Sequence, residues 1–240
     1  MLSIIIPTYN EEKYIGESLE QFKQKLTLPH EIIVSDDKST DKTVEIAKSF
    51  QDVTVLVPEK KHQAIGANRN EGARTAKGDF FVFMDGDSRI ENPDKFFSTI
   101  LEYFEANKNV VAVTTYLQVL KECETFTDRF IYIIFNWTHV LKNNIFHTGE
   151  ASGKFQMIRK EAFLKVNGYR EDLVSREDAN MFQRLSEIGR TICLSNLRVF
   201  HYGRRAHRIG WPKLLYIWMT ETLYVAINDR SIAKEWKDVR

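Results

Sequence analysis

The chain has 240 residues, 43% of them hydrophobic, which suffices for a large buried core and excludes a mainly disordered protein. Its formal net charge at pH 7 is +1, so no global basic field points to nucleic acid as the main partner. Two cysteines cannot form a disulfide framework and no signal-peptide pattern opens the sequence, which together predict a cytoplasmic protein.

The first half of the chain alternates predicted strands and helices. Short, continuous apolar runs indicate buried parallel strands, and apolar residues at helical spacing indicate the helices between them. In chain order, the elements are a strand over 2–6, a helix over 11–25, a strand over 31–34, a helix over 41–49, a strand over 53–57, a helix over 63–77, a strand over 80–84, a helix over 93–106 and a strand over 110–117. This alternation predicts a doubly wound α/β fold with a mostly parallel central sheet flanked by helices.

The second half is less regular. Its predicted elements are a helix over 126–141, a strand over 154–158, helices over 160–167 and 177–188, an extended segment over 191–200 and an aromatic-rich helix over 211–227. No apolar stretch reaches the roughly 18 uncharged residues of a membrane-spanning helix. The helix over 126–141 is nevertheless apolar on more than one face, which indicates deep burial or contact with a partner or lipid.

The apolar faces of the helices over 126–141 and 211–227 have three alternative explanations. They pack in the core, they form a homodimer contact, or they meet a membrane surface or a lipid-linked acceptor, because aromatic and basic residues together favour such an interface. The third explanation predicts a peripheral position on the cytoplasmic face of a membrane. The residues concerned are Phe130, Ile131, Phe135, Trp211, Leu215, Trp218 and Tyr224.

Two carboxylates follow the strand predicted over 80–84. Asp85 and Asp87 are two residues apart, so on an extended chain their side chains point the same way. They stand at the carboxyl end of a strand, where open α/β sheets bind ligands. Two hard oxygen ligands with space for phosphate oxygens suit Mg2+ or Mn2+ bound jointly with a nucleotide. Taken alone, this Asp-Gly-Asp segment also fits a solvated acidic turn.

Several polar segments occur in the same order as in a known family. They closely resemble the motifs of family 2 glycosyltransferases with the GT-A fold. The matching segments are 4–11, 31–41, 66–72, 76–79, 85–87, 168–171 and 176–185. The resemblance implies a GT-A domain over 1–203, with a nucleotide-sugar-binding half over 1–118 and an acceptor-binding half over 119–203. A C-terminal helical extension over 204–240 would pack on this domain or lie at a membrane or oligomer interface.

The resemblance also implies ligands and roles for single residues. The donor would be a nucleotide-diphosphate sugar, the cofactor Mn2+ or Mg2+, and the acceptor a glycan or a lipid-linked molecule. Asp87 would bind the metal directly, and His201 would reach the metal or the diphosphate. The residues implied to bind the nucleotide are Pro7, Thr8, Tyr9, Glu11, Asp37, Arg69 and Asp85.

The acceptor side of the implied site centres on Asp178. This residue would be the general base that removes the acceptor's proton, and family members invert the anomeric centre in one displacement. Gly153 lies in a loop of small residues where backbone can approach a ligand closely, so we place it with Glu177 near the sugar and acceptor. A plain hairpin-like connection explains this loop equally well. Glu177 fits an ordinary helix N-terminal carboxylate equally well. The basic stretch over 204–208 fits closure over the diphosphate, a solvated loop or contact with anionic lipid.

Some features depart from the family pattern and leave rival functions open. Lys38 replaces the usual glycine, which predicts a changed turn and offers a lysine that could pair with phosphate. Asn180 stands where many members carry a second aspartate. The nearest rival is a polyprenyl-phosphate sugar synthase, whose anionic acceptor needs no strong base. A sugar-1-phosphate nucleotidyltransferase is disfavoured because no glycine-rich loop follows the first strand. A non-catalytic nucleotide-binding module is disfavoured because it would need no base, whereas both Asp87 and the candidate base Asp178 are in place. The sequence does not distinguish UDP from GDP donors.

Overall fold

The computed structural model describes residues 1–61 and 64–233. Helices surround a central sheet of seven strands. The elements in chain order are β1 (Leu2–Thr8), α1 (Ile15–Lys25), β2 (His30–Asp36), α2 (Thr43–Lys48), β3 (Val53–Leu56), α3 (Ile65–Thr75), β4 (Phe80–Phe83), α4 (Pro93–Ala106), β5 (Val110–Val119), α5 (Phe126–Val140), a π-helical turn (Leu141–Ile145), β6 (Gln156–Arg159), α6 (Lys160–Lys165), α7 (Glu177–Ser186), β7 (Arg190–His201), α8 (Arg204–Ile209) and α9 (Trp211–Asn228).

The sheet has the strand order β3–β2–β1–β4–β6–β5–β7. Strands β1 to β4 run parallel, and β7 is parallel to β5. Strand β6 runs antiparallel between β4 and β5. The predicted mostly parallel α/β sheet is therefore confirmed. One edge of the sheet gathers the carboxyl ends of β1, β2, β4 and β7 together with the start of β6, and open α/β sheets bind ligands at such an edge.

Both faces of the central strand β1 are buried. Ile4 and Ile6 pack on one side of the sheet in a cluster that includes Phe97 of α4. Ile5 points to the other side, into a cluster that includes Phe163 of α6. A strand covered by helices on both faces has a continuous apolar sequence, which explains why β1 was predictable from its composition.

Two helices begin at side-chain caps. The Asn92 side chain accepts a hydrogen bond from the Lys95 N–H at 3.1 Å, and proline occupies the first turn of α4. Thr125 and Asp128 form a capping box at the start of α5. Asp128 also accepts from the Trp211 indole N–H at 2.7 Å, so this cap ties α9 to α5.

The structure corrects three predicted segments. The helix over 11–25 begins only at Ile15, and the preceding residues form a turn in which the Glu11 N–H donates to the Thr43 hydroxyl at 2.6 Å. The helix predicted over 63–77 begins at Ile65, and residue 63 lies outside the described residues. The stretch over 204–208 belongs to a helix, α8, and not to a loop. The end of the predicted extension, 234–240, lies outside the described residues, and the predicted division at 118 stays a prediction.

Helices α5 and α9 pack against each other and present apolar side chains to solvent. Ile131, Trp211 and Trp218 pack together, and the Phe135 and Trp218 rings lie 5.8 Å apart, so these four residues of the predicted apolar faces lie between the helices. No described helix is both long and apolar enough to cross a membrane. We call the exposed residues the outer apolar face; they are Phe126, Phe130, Ile133, Ile134, Trp137, Leu215, Tyr216, Met219, Leu223 and Ile227.

Candidate active site

Buried hydrogen bonds join the loops after β1 and β2. Asp36 is fully buried and accepts from the Thr8 hydroxyl at 2.9 Å and from the Ser39 N–H at 2.7 Å. The Asp37 N–H donates to the Thr8 carbonyl at 2.8 Å, and Asp37 remains partly exposed. The two neighbouring carboxylates therefore have different surroundings. Asp36 is buried and holds the two loops together, whereas Asp37 lies beside Thr8 at the sheet edge.

The remaining residues predicted to contact the base follow the same edge. Pro7 is buried near the end of β1, and the Lys61 ammonium lies 3.7 Å from the centroid of the Tyr9 ring.

Lys38 has a φ of 64°, the left-handed conformation that glycine adopts without strain. Its ammonium donates to the Glu59 carbonyl at 2.8 Å. The turn thus has a glycine-like backbone at Lys38, at a conformational cost of about 1 kcal/mol.

Asp87 is buried beneath two cationic side chains. Lys154 Nζ lies 2.7 Å from one Asp87 oxygen, and Arg204 Nε lies 2.9 Å from the other. Arg204 also pairs with Glu11 at 3.0 Å and lies over the Tyr14 ring at 4.5 Å. Burial opposes ionisation of Asp87, but the charges of Lys154 and Arg204 outweigh it and hold its pKa well below the usual value. Asp87 is therefore an anion at neutral pH.

Asp85 shares a cation with Asp87. Its Oδ2 lies 3.2 Å from Lys154 Nζ, so one ammonium contacts both carboxylates, as the two-residue spacing predicts. Its Oδ1 lies 3.2 Å from the Arg69 guanidinium. Asp85 therefore contacts two cations. One is Lys154, which also pairs with Asp87, and the other is Arg69, which also pairs with Glu177 of α7.

Arg69 lies in the floor of the site. Only 1% of its side chain is exposed, and it contacts Glu177 at 2.8 Å as well as Asp85. Burial raises the pKa of Glu177, and the neighbouring charge of Asp178 raises it further, while Arg69 acts in the opposite direction. Glu177 is thus a buried partner of Arg69 and more than an exposed first-turn carboxylate. The implied contact between Arg69 and the nucleotide stays a prediction.

Gly153 packs closely against Arg69 and lies between Asp85 and Asp178. A Cβ at this position would lie 2.2 Å from an Arg69 nitrogen and 3.5 Å from an Asp85 oxygen. The Gly153 N–H donates to Asp178 Oδ2 at 2.8 Å. Because residue 153 has no side chain, its backbone can lie directly against Arg69 and Asp178.

Replacing Gly153 with alanine should lower the free energy of unfolding by about 1–3 kcal/mol, because two ion pairs hold the Arg69 side chain that would have to move. Urea unfolding measures the effect. Gly16→Ala is the matched control, because a Cβ there meets nothing closer than 3.5 Å and the residue is helical. Equal destabilisation of both variants would contradict the close fit at Gly153.

Asp178 stands in the first turn of α7. Its Oδ1 accepts from the Ala179 N–H at 2.7 Å, and its Oδ2 is the acceptor for Gly153. The residue is partly exposed, and its pKa is raised because burial outweighs the favourable charges of Arg176 and Arg69. A carboxylate with a raised pKa is a better proton acceptor near neutral pH.

His201 ends β7 inside the site. It is 2% exposed, and its Nδ1 accepts from the Gly203 N–H at 3.0 Å. Burial lowers its pKa to about 3, so the ring is neutral and Nε2 carries the hydrogen. Nε2 is buried and has no hydrogen-bond partner among residues 1–61 and 64–233. In this tautomer Nε2 can donate to an anionic oxygen, whereas metal ligation through Nε2 requires the other tautomer.

The donor set fits a divalent metal only together with another ligand. Asp85 and Asp87 supply carboxylate oxygens, which Mg2+ and Mn2+ prefer. Within the described ranges, no three acidic, histidine or cysteine side chains group closely enough to hold a metal by themselves. Because Mg2+ is commonly held by one or two carboxylates plus substrate phosphates, these residues fit a metal bound jointly with a diphosphate.

Two cations of the site received no definite role from the sequence. No sequence pattern marks Lys154, and Arg204 lies within the basic stretch over 204–208, which has three alternative explanations. The charge of residues 204–208 was the one available signal for Arg204. Lys154 lies in a turn two residues before β6 and carries no pattern of its own, because its partners lie 67 and more residues away.

Comparison with known proteins gives a family and a fold. A family model described as Glycosyl transferase family 2 matches residues 3–166. An uncharacterized glycosyltransferase of Haemophilus influenzae is 29% identical over 77% of this chain and 62% of its own length. A dolichyl N-acetyl-α-D-glucosaminyl phosphate 3-β-D-2,3-diacetamido-2,3-dideoxy-β-D-glucuronosyltransferase of Methanococcus voltae is 43% identical over 35% of this chain and 28% of its own. The chain thus spans less than two thirds of these relatives.

Solved structures share the architecture. The mannosyltransferase PcManGT of Pyrobaculum calidifontis, in complex with GDP-Man and Mn2+, superposes with a TM-score of 0.68 at 20% identity, over 87% of this chain and 59% of its own. S. aureus TarS in complex with UDP gives a TM-score of 0.64 at 22% identity, over 83% of this chain and 59% of that one. At these identities the likeness establishes the fold, which is GT-A.

Proposed function

The chain belongs to glycosyltransferase family 2, and we propose that it moves a sugar from a nucleoside-diphosphate donor to an acceptor hydroxyl with inversion at the anomeric carbon. The observation that carries this proposal is the continuity of the site. Arg69 pairs with Asp85 and with Glu177, the residue before Asp178. Gly153 donates to Asp178, and its neighbour Lys154 pairs with Asp85 and Asp87. These contacting residues therefore offer both a place for a diphosphate and a base for an acceptor.

The donor's nucleoside would lie along the joined loops after β1 and β2. Main chain at Pro7 and Thr8 would face the base, and the Asp37 carboxylate would accept from its N–H groups. Tyr9 and Glu11 border the same edge, and Asp85 would face the ribose. Structures of two proteins with this fold contain UDP and GDP-Man, which supports a nucleotide-sugar donor and leaves both bases as candidates.

The diphosphate would lie where the chain concentrates positive and hydrogen-donating groups. Lys154 and Arg204 contact Asp87, and the buried Nε2–H of His201 lies nearby with no partner in the described part of the chain. As the bond between the anomeric carbon and the phosphate oxygen breaks, its electron pair leaves with the phosphate, and these groups stabilise the added charge. A divalent cation held by Asp87 would supply further positive charge to the diphosphate when bound.

The acceptor's proton would go to Asp178. Its partly exposed carboxylate accepts that proton while the hydroxyl oxygen forms the new bond to the anomeric carbon. The Gly153 and Ala179 N–H groups orient both carboxylate oxygens. Attack from the face opposite the leaving phosphate inverts the anomeric centre without a covalent intermediate.

Slow hydrolysis of the donor tests this mechanism without knowledge of the acceptor. The protein is incubated with UDP-glucose, UDP-N-acetylglucosamine or GDP-mannose and Mn2+, and early proton NMR spectra identify the anomer of the released sugar. We expect the anomer opposite to that of the donor. Initial release of the same anomer would contradict single displacement.

The exposure of the outer apolar face favours an acceptor that is bound to a membrane. Its α5 residues are about half or more exposed, and one relative is named for a dolichyl-linked acceptor. We propose that this face rests on the cytoplasmic surface of a membrane and brings a lipid-linked acceptor to Asp178. Both cysteines are free thiols, in agreement with a reducing compartment.

Phe130→Glu should reduce binding to anionic vesicles about tenfold or more, because it removes roughly one buried aromatic side chain from the interface. Vesicle flotation measures the bound fraction. Leu164→Glu on α6 is the matched control, since Phe130 and Leu164 are both 58% exposed. Complete recovery of the unmodified protein in the soluble fraction would refute the membrane proposal, and a dimer in light scattering would assign this face to a second copy.

A further inference from the structure

The Lys154 ammonium contacts both Asp85 and the carboxylate of Asp87, which would hold the metal. The ammonium lies 3.2 Å from Asp85 and 2.7 Å from Asp87. Resting on the proposed function, we propose that Lys154 is a resident counter-cation that a divalent metal displaces only when the donor's diphosphate arrives. Metal and nucleotide would then bind cooperatively, and Lys154 would set the size of that coupling.

The physical reason is the charge of the buried carboxylates. Asp87 is 1% exposed, and a buried anion without a positive partner is strongly destabilising. The Lys154 ammonium is such a partner, because it pairs with Asp87 at 2.7 Å and with Asp85 at 3.2 Å. A divalent cation cannot share this position with an ammonium, because like charges at this distance repel strongly.

The displaced ammonium needs another anion close by. A nucleoside diphosphate bound at the sheet edge brings one within reach of the four-carbon lysine side chain. One fifth of that side chain is exposed, so it has room to turn outward. Free metal offers no such anion, and metal binding without nucleotide therefore leaves the Lys154 charge uncompensated.

The surroundings allow the Lys154 side chain to move while its backbone stays fixed. On one side, the Gly153 N–H is bound to Asp178. On the other, Phe155 is fully buried in the core. Arg204 is the less mobile cation at Asp87, because it also pairs with Glu11 and stacks on Tyr14. Of the two cations, Lys154 is therefore the one that can exchange.

Mn2+ binding to the whole chain tests this proposal through the electron paramagnetic resonance signal of free Mn2+. The titration is done alone, with UDP and with GDP. For the unmodified protein we expect the fitting nucleotide to tighten Mn2+ binding roughly 5–150-fold, the usual range of coupling between two ligands. Lys154→Met should bind Mn2+ alone about tenfold or more tightly and lose most of that coupling.

Two variants serve as controls. Lys154→Arg keeps the charge and should retain weak binding of Mn2+ alone. Lys142→Met removes a lysine paired with the buried Glu150 carboxylate, away from Asp85 and Asp87, and should leave Mn2+ affinity and coupling unchanged. Circular dichroism of each variant establishes that it is folded, and the coupling in the unmodified protein tests the proposal even if Lys154→Met does not fold.

The outcomes distinguish failure of the Lys154 proposal from failure of the proposed function. Equal Mn2+ affinity in the unmodified protein and Lys154→Met, or Mn2+ binding that nucleotide does not alter, would overturn the role of Lys154 and leave the glycosyltransferase proposal intact. Failure of every nucleotide to bind, with or without Mn2+, in a parallel calorimetric titration would overturn both.

Discussion

Asp178→Asn should lower kcat for sugar transfer about 100- to 10,000-fold while nucleotide affinity stays within about twofold, because the change removes the proton acceptor and leaves the diphosphate groups in place. Asparagine retains one carbonyl oxygen for the Gly153 and Ala179 N–H groups, so one of these hydrogen bonds is lost. We expect at most about 1 kcal/mol less stability from that loss. Glu187→Gln, an exposed charge neutralisation at the end of α7, is the control.

The pH profile gives a second readout for the same residue. Burial raises the pKa of Asp178, and the base acts only when ionised, so activity should fall as pH drops through this raised pKa. The acidic limb should lie above the usual aspartate range and disappear in Asp178→Asn. Glu177 is close enough to titrate together with Asp178, so the limb reports the pair.

The result for Asp178 also separates the two enzyme classes that the sequence left open. A synthase of polyprenyl-phosphate sugars attacks with an acceptor that is already an anion. In that case Asp178→Asn would retain most of its activity and the profile would lack the acidic limb. Near-normal activity of this variant would therefore contradict a hydroxyl acceptor while leaving the donor site unaffected.

Asp87→Asn should lower kcat/KM about 100- to 1,000-fold and abolish any contribution of Mn2+ to nucleotide binding, because it removes a buried carboxylate that faces the proposed diphosphate position. It also leaves Lys154 and Arg204 without their shared anion. Because each of these side chains is about one fifth exposed, we expect a fall in unfolding free energy of about 1–3 kcal/mol, below that of a fully buried pair.

Asp52→Asn is the control for this prediction, since it removes the same charge from an exposed turn before β3. Steady-state kinetics and urea unfolding measure the two effects separately. If Asp87→Asn keeps its full Mn2+ response, the metal binds elsewhere and the assignment of Asp87 fails.

The sequence predicted the strands and the carboxylate pair because these signals are local. A strand buried on both faces has a continuous apolar run, so β2 and β4 were predicted to within two residues. The common orientation of Asp85 and Asp87 follows from their spacing on an extended chain. The direction of β6 was not predictable, because a short apolar run carries no information on its partner strands.

The cationic part of the site depends on tertiary contacts. Arg204 meets Asp87 across 117 residues, and Glu177 meets Arg69 across 108. No pattern within α7 distinguishes a buried ion pair at Glu177 from a favourable first-turn charge. Helix α8 has only six residues, too few for a helical period to appear in the sequence.

Thermal unfolding with UDP, GDP, CDP and dTDP, each with and without Mn2+, tests the central claim most directly. A ligand at 100 times its Kd stabilises the native state by about 2.7 kcal/mol, which should raise the Tm by about 5–10 °C. We predict that one nucleotide gives this shift with Mn2+, that Mn2+ alone gives none, and that Asp87→Asn loses the metal-dependent part. Absence of a shift with every nucleotide, with and without Mn2+, would contradict an active donor site at this edge of the sheet.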